Sequence, residues 1–188
     1  MEVAKNIETA PAVAVTAEQP TDIAAREALL DRAMGPGRKR TSSEKLRRGR
    51  RPSEGLALVA RGTDGCVIGT VRLWDVVFED GCAKALLLGP LAVDPSLKNA
   101  GIGSALMQHA IAEARRLGHG AILLVGDAPY YARFGFSADK TDALAMPGPY
   151  EKHRLLALEL EAGALDGAHG VIRAAGRRIK TDRIGAAA

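Results

Sequence analysis

The stretch LLLGPLAVDPSLKNAGIGSALMQHAI, residues 86–111, joins an apolar strand to an amphipathic helix through a turn that contains Gly101 and Gly103. The strand ends at an Asp-Pro pair, because proline cannot donate to a strand ladder, and the helical spacing of apolar residues begins after residue 99. The first four N–H groups of a helix have no partner within it, and the helix dipole makes that end positive. Because glycine has no side chain to cover these groups, the turn predicts a binding site for an anion such as a phosphate.

The composition is typical of a globular protein with one domain: 188 residues, of which 47% are hydrophobic and 26% are charged. The longest strongly apolar stretch, residues 85–93, is too short to cross a bilayer. Glu2 and Glu8 lie where a secretory signal would have a basic region, and no long apolar run follows them. We therefore expect a cytoplasmic protein without membrane contact.

The cysteine and histidine residues do not form a recognisable metal or disulfide pattern. The two cysteines, Cys66 and Cys82, flank one predicted strand, and neither belongs to a CxxC pair. The four histidines do not stand at zinc-site spacing from other ligands. We expect no disulfide scaffold and no bound metal.

The order of the predicted elements favours an α+β fold with a mixed sheet. A first helix follows Asp22, and its apolar side chains share one face: Ile23, Ala25, Leu29, Leu30 and Ala33. The later elements are a short helix at 42–49, antiparallel strands at 56–61, 66–78 and 84–93, a helix at 101–117, a strand at 121–127, a short helix at 130–134 and a strand at 153–161. We expect residues 1–10 to be flexible and residues 164–188 to form a basic, Gly- and Ala-rich extension of a domain at 11–163.

The glycine turn and a second motif together resemble the GNAT superfamily of N-acetyltransferases. The pyrophosphate loop of that family runs Arg or Gln, two residues, Gly, one residue, and Gly or Ala, and it corresponds here to Lys98, Asn99, Ala100, Gly101, Ile102 and Gly103. Lys98 departs from the usual Arg or Gln, but its cation can still meet a phosphate as a point charge. The second motif, YYARFGF at residues 130–136, is similar to the family's aromatic short helix that ends in Gly-Phe. The resemblance covers about residues 56–161 and is nearest to an uncharacterised bacterial acetyltransferase subgroup.

The resemblance implies a fold and a cosubstrate. The expected fold is the GNAT-type α+β sheet, mixed and mostly antiparallel, flanked by helices, with two central parallel strands, LGPLAV and ILLVG, that splay apart. Gly89-Pro90 favours this splay, because proline removes a ladder donor and glycine tolerates the dihedral angles of a bulge. Acetyl-CoA is the implied acyl donor, with no metal, and the residues implied to hold it are the main chain of Leu91, Ala92 and Val93, the loop residues Lys98, Asn99, Ala100, Gly101, Ile102, Gly103 and Ser104, and Tyr131.

The resemblance also implies the chemistry, which is transfer of an acetyl or other acyl group to a primary amine by direct attack. In the family the general acid is a Tyr four residues before the Gly of the Gly-Phe pair, which corresponds to Tyr131 ahead of Gly135. Tyr130 points elsewhere, because adjacent residues on a helix differ by about 100°. No motif marks the base, and Asp75 and Glu79, on or near a strand, are candidates that would accept the proton through water.

Each motif alone has a simpler interpretation. Gly101 and Gly103 alone are often turn geometry, and a Tyr-Tyr-Phe cluster alone is usually core packing, but their order and spacing favour the acetyltransferase. Ser104 is consistent with phosphate binding or with solvent exposure, and Trp74 with half-buried packing or with a wall of the acceptor site. The alternative function is a catalytically silent acyl-CoA sensor. The acceptor stays open between a small-molecule and a peptide amine, and a homodimer stays open too.

The charged residues are unevenly distributed. Residues 38–51 carry eight basic residues against Glu44 alone, a net charge of +7, and residues 173–183 carry about +4. The first run is typical of a solvated helix and loop, and it can also attract an acidic substrate, the 3′-phosphate of CoA or a nucleic acid. Nucleic-acid modules usually interleave aromatic residues with their cations, and this run has none. A nucleic-acid partner is therefore not expected.

Overall fold

The computed structural model describes residues 13–79 and 84–179, and these residues form four α-helices and nine strands. The helices are α1 (Ile23–Met34), α2 (Ser42–Arg47), α3 (Ile102–Arg116) and α4 (Ala128–Ala132). The strands are β1 (Ala14–Ala17), β2 (Ala57–Arg61), β3 (Val67–Val77), β4 (Lys84–Val93), β5 (Ala121–Val125), β6 (Leu144–Ala145), β7 (Leu155–Glu159), β8 (Gly170–Val171) and β9 (Arg173–Ala174). The N-terminus expected to be flexible, residues 1–10, lies outside the described residues, as do residues 180–188 of the expected extension. No helix in the described ranges is both long and apolar enough to cross a membrane.

Seven strands form one mixed sheet in the order β1-β2-β3-β4-β5-β7, with β9 also paired to β3. The pairing of β4 with β5 is parallel, and the other pairings in this sheet are antiparallel. A hairpin cannot connect parallel neighbours, and α3 provides the crossover from β4 to β5. The predicted α+β class, with a mostly antiparallel sheet and a central parallel pair, is confirmed. A separate parallel pair joins β6 to β8.

Helices cover both faces of this sheet. Side chains alternate between the two faces along each strand, and β4 presents apolar side chains on both. Leu86 and Leu88 of β4 pack in one buried cluster with Leu106 of α3. Leu87 points to the opposite face and packs in a second cluster with Leu46 of α2. Fully burying one such leucine contributes about 1.5–3 kcal/mol, so these contacts fix α3, and with it the turn before α3, against β4.

The apolar face predicted for α1 is partly wrong. Leu29 and Leu30 are buried, but Ile23 is 47% exposed and Ala25 is also exposed. Arg26 is buried instead, because its guanidinium donates to a carboxylate oxygen of Glu18 at 2.7 Å. A buried charge is tolerated where it is paired and hydrogen-bonded, and apolar periodicity gives no sign of such a pair.

The described part of the C-terminal extension is built into the domain. Ala174 of β9 pairs with Val76 of β3, and β9 thus continues the sheet beyond the end of β2. Leu165 and Ile172 are buried in the apolar cluster on the α2 face of the sheet. Residues 164–179 therefore contribute both hydrogen bonds and core contacts.

Candidate active site

The gap expected between β4 and β5 is present. Leu86 and Leu87 of β4 pair with β5, and the pairing stops before Gly89. A bulge lies at the same place, where Gly89 and Pro90 stand opposite a single residue of β3. Gly89 has φ of 132°, a conformation that residues with side chains rarely adopt. The two central strands therefore diverge and leave a cleft.

Trp74 of β3 holds the bulge in place. Its indole Nε1–H donates to the carbonyl of Gly89 at 2.6 Å, and the side chain is only 5% exposed. The structure thus gives Trp74 neither of the roles expected from the sequence, since it is fully buried and does not line the cleft. A buried carbonyl without a partner costs about 1–3 kcal/mol, so this hydrogen bond stabilises the bulged geometry.

The main chain of β4 after the bulge faces two ways. The N–H of Asp94 donates to the carbonyl of Ile68 in β3, and antiparallel alternation directs the main-chain groups of Ala92 toward β3 as well. Leu91 and Val93 occupy the alternate positions, so their N–H and C=O groups face the cleft that β5 has left. Of the three residues expected to bind through their main chain, Leu91 and Val93 direct these groups into the cleft, and Ala92 directs them toward β3.

The turn predicted to bind an anion leaves the start of α3 uncovered. Gly101, the N-cap residue, has φ of 77°, and no side chain caps the helix. The N–H of Ala105 bonds to the carbonyl of Gly101 at 3.0 Å, whereas the N–H groups of Ile102, Gly103 and Ser104 precede the first bond of the helix. A cavity of about 430 Å³, which we call the cradle cavity, adjoins them and is lined by residues 97–104 together with Val93, Tyr130 and Arg133.

Asp94 fixes the turn that leads into the cradle cavity. Its carboxylate accepts hydrogen bonds from the Ser96 hydroxyl at 2.7 Å, the Ser96 N–H at 3.0 Å and the Arg32 guanidinium at 2.9 Å. These bonds, the one from the Ser96 hydroxyl above all, lower the pKa of Asp94 to about 2. The carboxylate is therefore charged at neutral pH and ties α1 to the turn.

Tyr130 and Arg133 form the wall of the cradle cavity opposite the loop. A Cβ on Gly103 would lie 2.8 Å from the Tyr130 hydroxyl, so glycine permits this close approach. The Arg133 guanidinium lies 4.6 Å from the centre of the Tyr130 ring and donates to the Ser104 hydroxyl at 3.1 Å. Lys98, which was expected from the sequence, is exposed at the same cavity, whereas Arg133 was not expected there. The available signal was its position three residues after Tyr130 at the end of a short helix.

Tyr131 points into the cleft between β4 and β5. It lines a second cavity of about 370 Å³, the cleft cavity, together with Gly89 and Leu91. Its ring stands at 83° to that of Tyr130 and lies so close to Gly126 that any Cβ there would collide with it. Burial, to which the neighbouring Tyr130 adds, raises the pKa of Tyr131 to about 12. The phenol therefore keeps its proton at neutral pH.

The two carboxylates considered as bases are engaged away from the cleft cavity. Asp75 accepts a hydrogen bond from the Ser53 hydroxyl at 2.9 Å, and Glu79 pairs with Arg173 at 3.2 Å. Neither lines the cavity, so the structure does not support that hypothesis. Among the described residues, the carboxylate that lines the cavity is Glu151, in the segment before β7. No sequence motif marks that segment.

The basic run at residues 38–51 forms part of the wall of the cleft cavity through α2. The expectation of a solvated face is wrong for two of its arginines. Arg38 pairs with Glu27 at 2.6 Å and with Asp31 at 2.7 Å. The side chain of Arg47 lines the cavity and is only 9% exposed.

Comparison with known proteins agrees with this geometry. The uncharacterised N-acetyltransferase YhbS of Escherichia coli (strain K12) is 28% identical over 117 residues, which are 62% of this chain and 70% of YhbS. The crystal structure of E. coli YhbS in complex with CoA matches with a TM-score of 0.73 at 25% identity, over 87% of this chain and 89% of that one. A GNAT family acetyltransferase from Brucella melitensis, solved in complex with acetyl-CoA, matches with a TM-score of 0.58 at 26% identity, over 82% and 98% of the two chains.

The sequence profile of the Acetyltransferase (GNAT) family matches residues 24–136, which are more than half of the chain. The matched range begins in α1 and ends with the YYARFGF motif, so it includes the glycine turn before α3 and Tyr131. This confirms the resemblance seen in the sequence, and the chain belongs to the GNAT family of acetyltransferases.

Proposed function

We propose that this chain is an N-acetyltransferase that binds acetyl-CoA and transfers its acetyl group to a primary amine. The observation that carries the proposal is the placement of two sites along one route. The uncovered start of α3 lines the cradle cavity, the Tyr131 phenol lines the cleft cavity, and the main chain of β4 runs from one to the other. The solved relatives that hold CoA and acetyl-CoA support it.

The residues of the cradle cavity fit a diphosphate. The free N–H groups at the start of α3 suit an anion, and Gly103 leaves room where a side chain would obstruct it. Lys98 and Arg133 add positive charge at the same cavity. The main-chain groups of Leu91 and Val93 suit the amide groups of the pantetheine arm, which would lie in the cleft.

Bound acetyl-CoA supplies a thioester, whose carbonyl carbon the amine attacks and whose sulfur leaves. Tyr131 is the general acid in this proposal, because its phenol is protonated at neutral pH and lies where the main chains diverge. Burial raises the pKa of the Tyr131 phenol, and it also raises the pKa of a thiol beside that phenol. The pKa values of the proton donor, Tyr131, and of the proton acceptor, the leaving thiolate of CoA, therefore shift in the same direction. Glu151 accepts the proton that the amine loses, directly or through one water.

The test is release of free CoA from acetyl-CoA in the presence of a library of primary amines, measured chromatographically. We expect release with some acceptors, and we expect Tyr131→Phe to lower kcat by about 10²- to 10⁴-fold while the Kd for acetyl-CoA changes little. Full turnover in Tyr131→Phe would remove Tyr131 as the acid. Tight binding of acetyl-CoA with no release across the library would favour a silent acyl-CoA sensor instead.

A further inference from the structure

Arg47 is a buried cation whose hydrogen-bonding capacity is only partly used. Its Nη2 lies 3.3 Å from a carboxylate oxygen of Glu44, one turn earlier on α2. Its Nε is buried and has no hydrogen-bond partner among the described residues. Burial lowers the pKa of the Arg47 guanidinium, and Glu44 only opposes this effect. A buried guanidinium whose charge is only partly balanced by Glu44 is costly, so an anionic ligand in the cavity that Arg47 lines would be favoured.

The guanidinium of Arg47 lies in the wall of the cleft cavity, beside the bulge of β4. Its Nη1 is 3.3 Å from the position that a Cβ on Gly89 would take, so it lies against the bulge of β4. Tyr131 lines the same cavity, and so do Arg154 and Glu151, which pair at 3.5 Å. The lining thus contains two guanidinium groups and one carboxylate, and the carboxylate already has a partner.

The neighbouring cations of the basic run are directed elsewhere. Arg48 is exposed and donates to the carbonyl of Lys39 at 3.1 Å. Arg50 donates to the carbonyl of Gly176 at 2.6 Å. Arg47 is therefore the arginine of residues 38–51 that lines the cleft cavity. A general attraction of these basic residues for acidic molecules does not explain why Arg47 is buried.

We propose that the acceptor amine carries a compact anionic group, a carboxylate or a phosphonate or phosphate, that binds to Arg47. This rests on the proposed function in one respect, that the cleft cavity receives the acceptor. A guanidinium forms paired, charge-assisted hydrogen bonds with both kinds of anion. The anion would fix the amine at a set distance from the divergence of β4 and β5.

The test compares acceptors in matched pairs that differ in the anion. Amino acids are compared with their carboxamides, and 2-aminoethylphosphonate is compared with ethanolamine. For each pair, kcat/KM and calorimetric binding to the CoA-loaded protein are measured in the parent chain and in Arg47→Gln, Arg47→Lys and Arg48→Gln. For each protein, the value for the anionic acceptor is divided by the value for its neutral partner, and the ratio in a variant is then compared with the ratio in the parent chain. Differences in amine pKa between the two acceptors are the same for every protein, so they cancel in this comparison.

We expect Arg47→Gln to lower kcat/KM and affinity for the anionic members by about 10- to 100-fold, and to change the neutral members by less than about threefold. Arg47→Lys should recover part of the loss, since it restores the charge without the fork. Arg48→Gln should leave the ratios unchanged. If Arg47→Gln affects the amino acids more than 2-aminoethylphosphonate, the preferred anion is a carboxylate, and the opposite order indicates a phosphonate.

Two results would overturn the inference. One is equal affinity of the parent chain for anionic and neutral members across the panel. The other is an equal loss for both members in Arg47→Gln while acetyl-CoA binding and the melting temperature are retained, since that is the signature of a merely structural arginine. If anionic members bind preferentially but no CoA is released, the inference holds and the proposed transferase function fails.

Discussion

Replacing Gly103 by Ala should separate the stability of the fold from its affinity for acetyl-CoA. In the structure a Cβ at this position would lie 2.8 Å from the Tyr130 hydroxyl, roughly 0.6 Å inside ordinary van der Waals contact. The contact is with the hydroxyl at the far end of the Tyr130 side chain, whose ring also contacts Arg133 at 4.6 Å and Tyr131 at 4.9 Å. The methyl group would therefore occupy the cradle cavity at the point where a phosphate oxygen would meet the helix N–H groups.

The expected loss of affinity for acetyl-CoA in Gly103→Ala corresponds to the loss of one charge-assisted hydrogen bond. Loss of a hydrogen bond to a charged group costs about 1.5–3 kcal/mol, which corresponds to a Kd raised by about 10- to 150-fold. Stability should not fall in parallel, because Ala is about 1 kcal/mol better than Gly inside a helix and this gain offsets the steric contact. Gly103→Ala should therefore bind acetyl-CoA poorly while melting within a few degrees of the parent chain.

The assay is titration calorimetry with acetyl-CoA, with thermal melts of the same samples. Gly37→Ala is the matched control, because a Cβ there meets no atom within 4 Å and Gly37 has no left-handed backbone conformation. It should match the parent chain in both measurements. A Kd for Gly103→Ala within about twofold of the parent value would refute the assignment of the α3 start as the diphosphate site.

Three further predictions concern the groups that support the cleft. Trp74→Phe removes the 2.6 Å hydrogen bond to the carbonyl of Gly89 and should lower the free energy of unfolding by about 1–3 kcal/mol in urea titrations; an unchanged midpoint would contradict it. Glu18→Gln should cost about 3–5 kcal/mol in the same assay, because the guanidinium groups of Arg26 and Arg72 both lose this buried carboxylate and Arg26 keeps only the more exposed Glu27. Since the pKa of Tyr131 is raised to about 12, the phenol keeps its proton as pH rises past 10, and kcat should show no alkaline decline due to this group below about pH 11; a decline near pH 10 that is absent in Tyr131→Phe would contradict it.

The elements that form the cradle cavity were predictable because their signals are local. The strand, the glycine turn and the helix follow one another within residues 86–111, and the structure places α3 at Ile102–Arg116. The divergence of the central strands also follows from local chemistry, since Gly89-Pro90 interrupts the ladder wherever it stands. These features depend on backbone groups, whose behaviour a sequence reveals through glycine and proline.

The residues that line the cleft cavity, where we propose that the acceptor binds, could not be predicted, because their positions depend on contacts between residues far apart in the chain. Glu151 enters the cleft cavity from a segment that has no periodic pattern, and Arg47 is buried by packing against β4 rather than by its own helix. Arg26 shows the same limit, since its burial requires Glu18, a residue outside α1. A sequence marks a charged residue as polar and does not show which distant partner permits its burial.

The pairing of β9 with β3 has a practical consequence for anyone who expresses shorter forms of this protein. Cutting the chain at residue 163, the end of the core domain by sequence, would strip a neighbour from Val76 and leave N–H and C=O groups of β3 without partners. It would also open the apolar pocket that Ile172 fills. Exposed strand edges next to apolar surface promote association between molecules, so such truncations should aggregate.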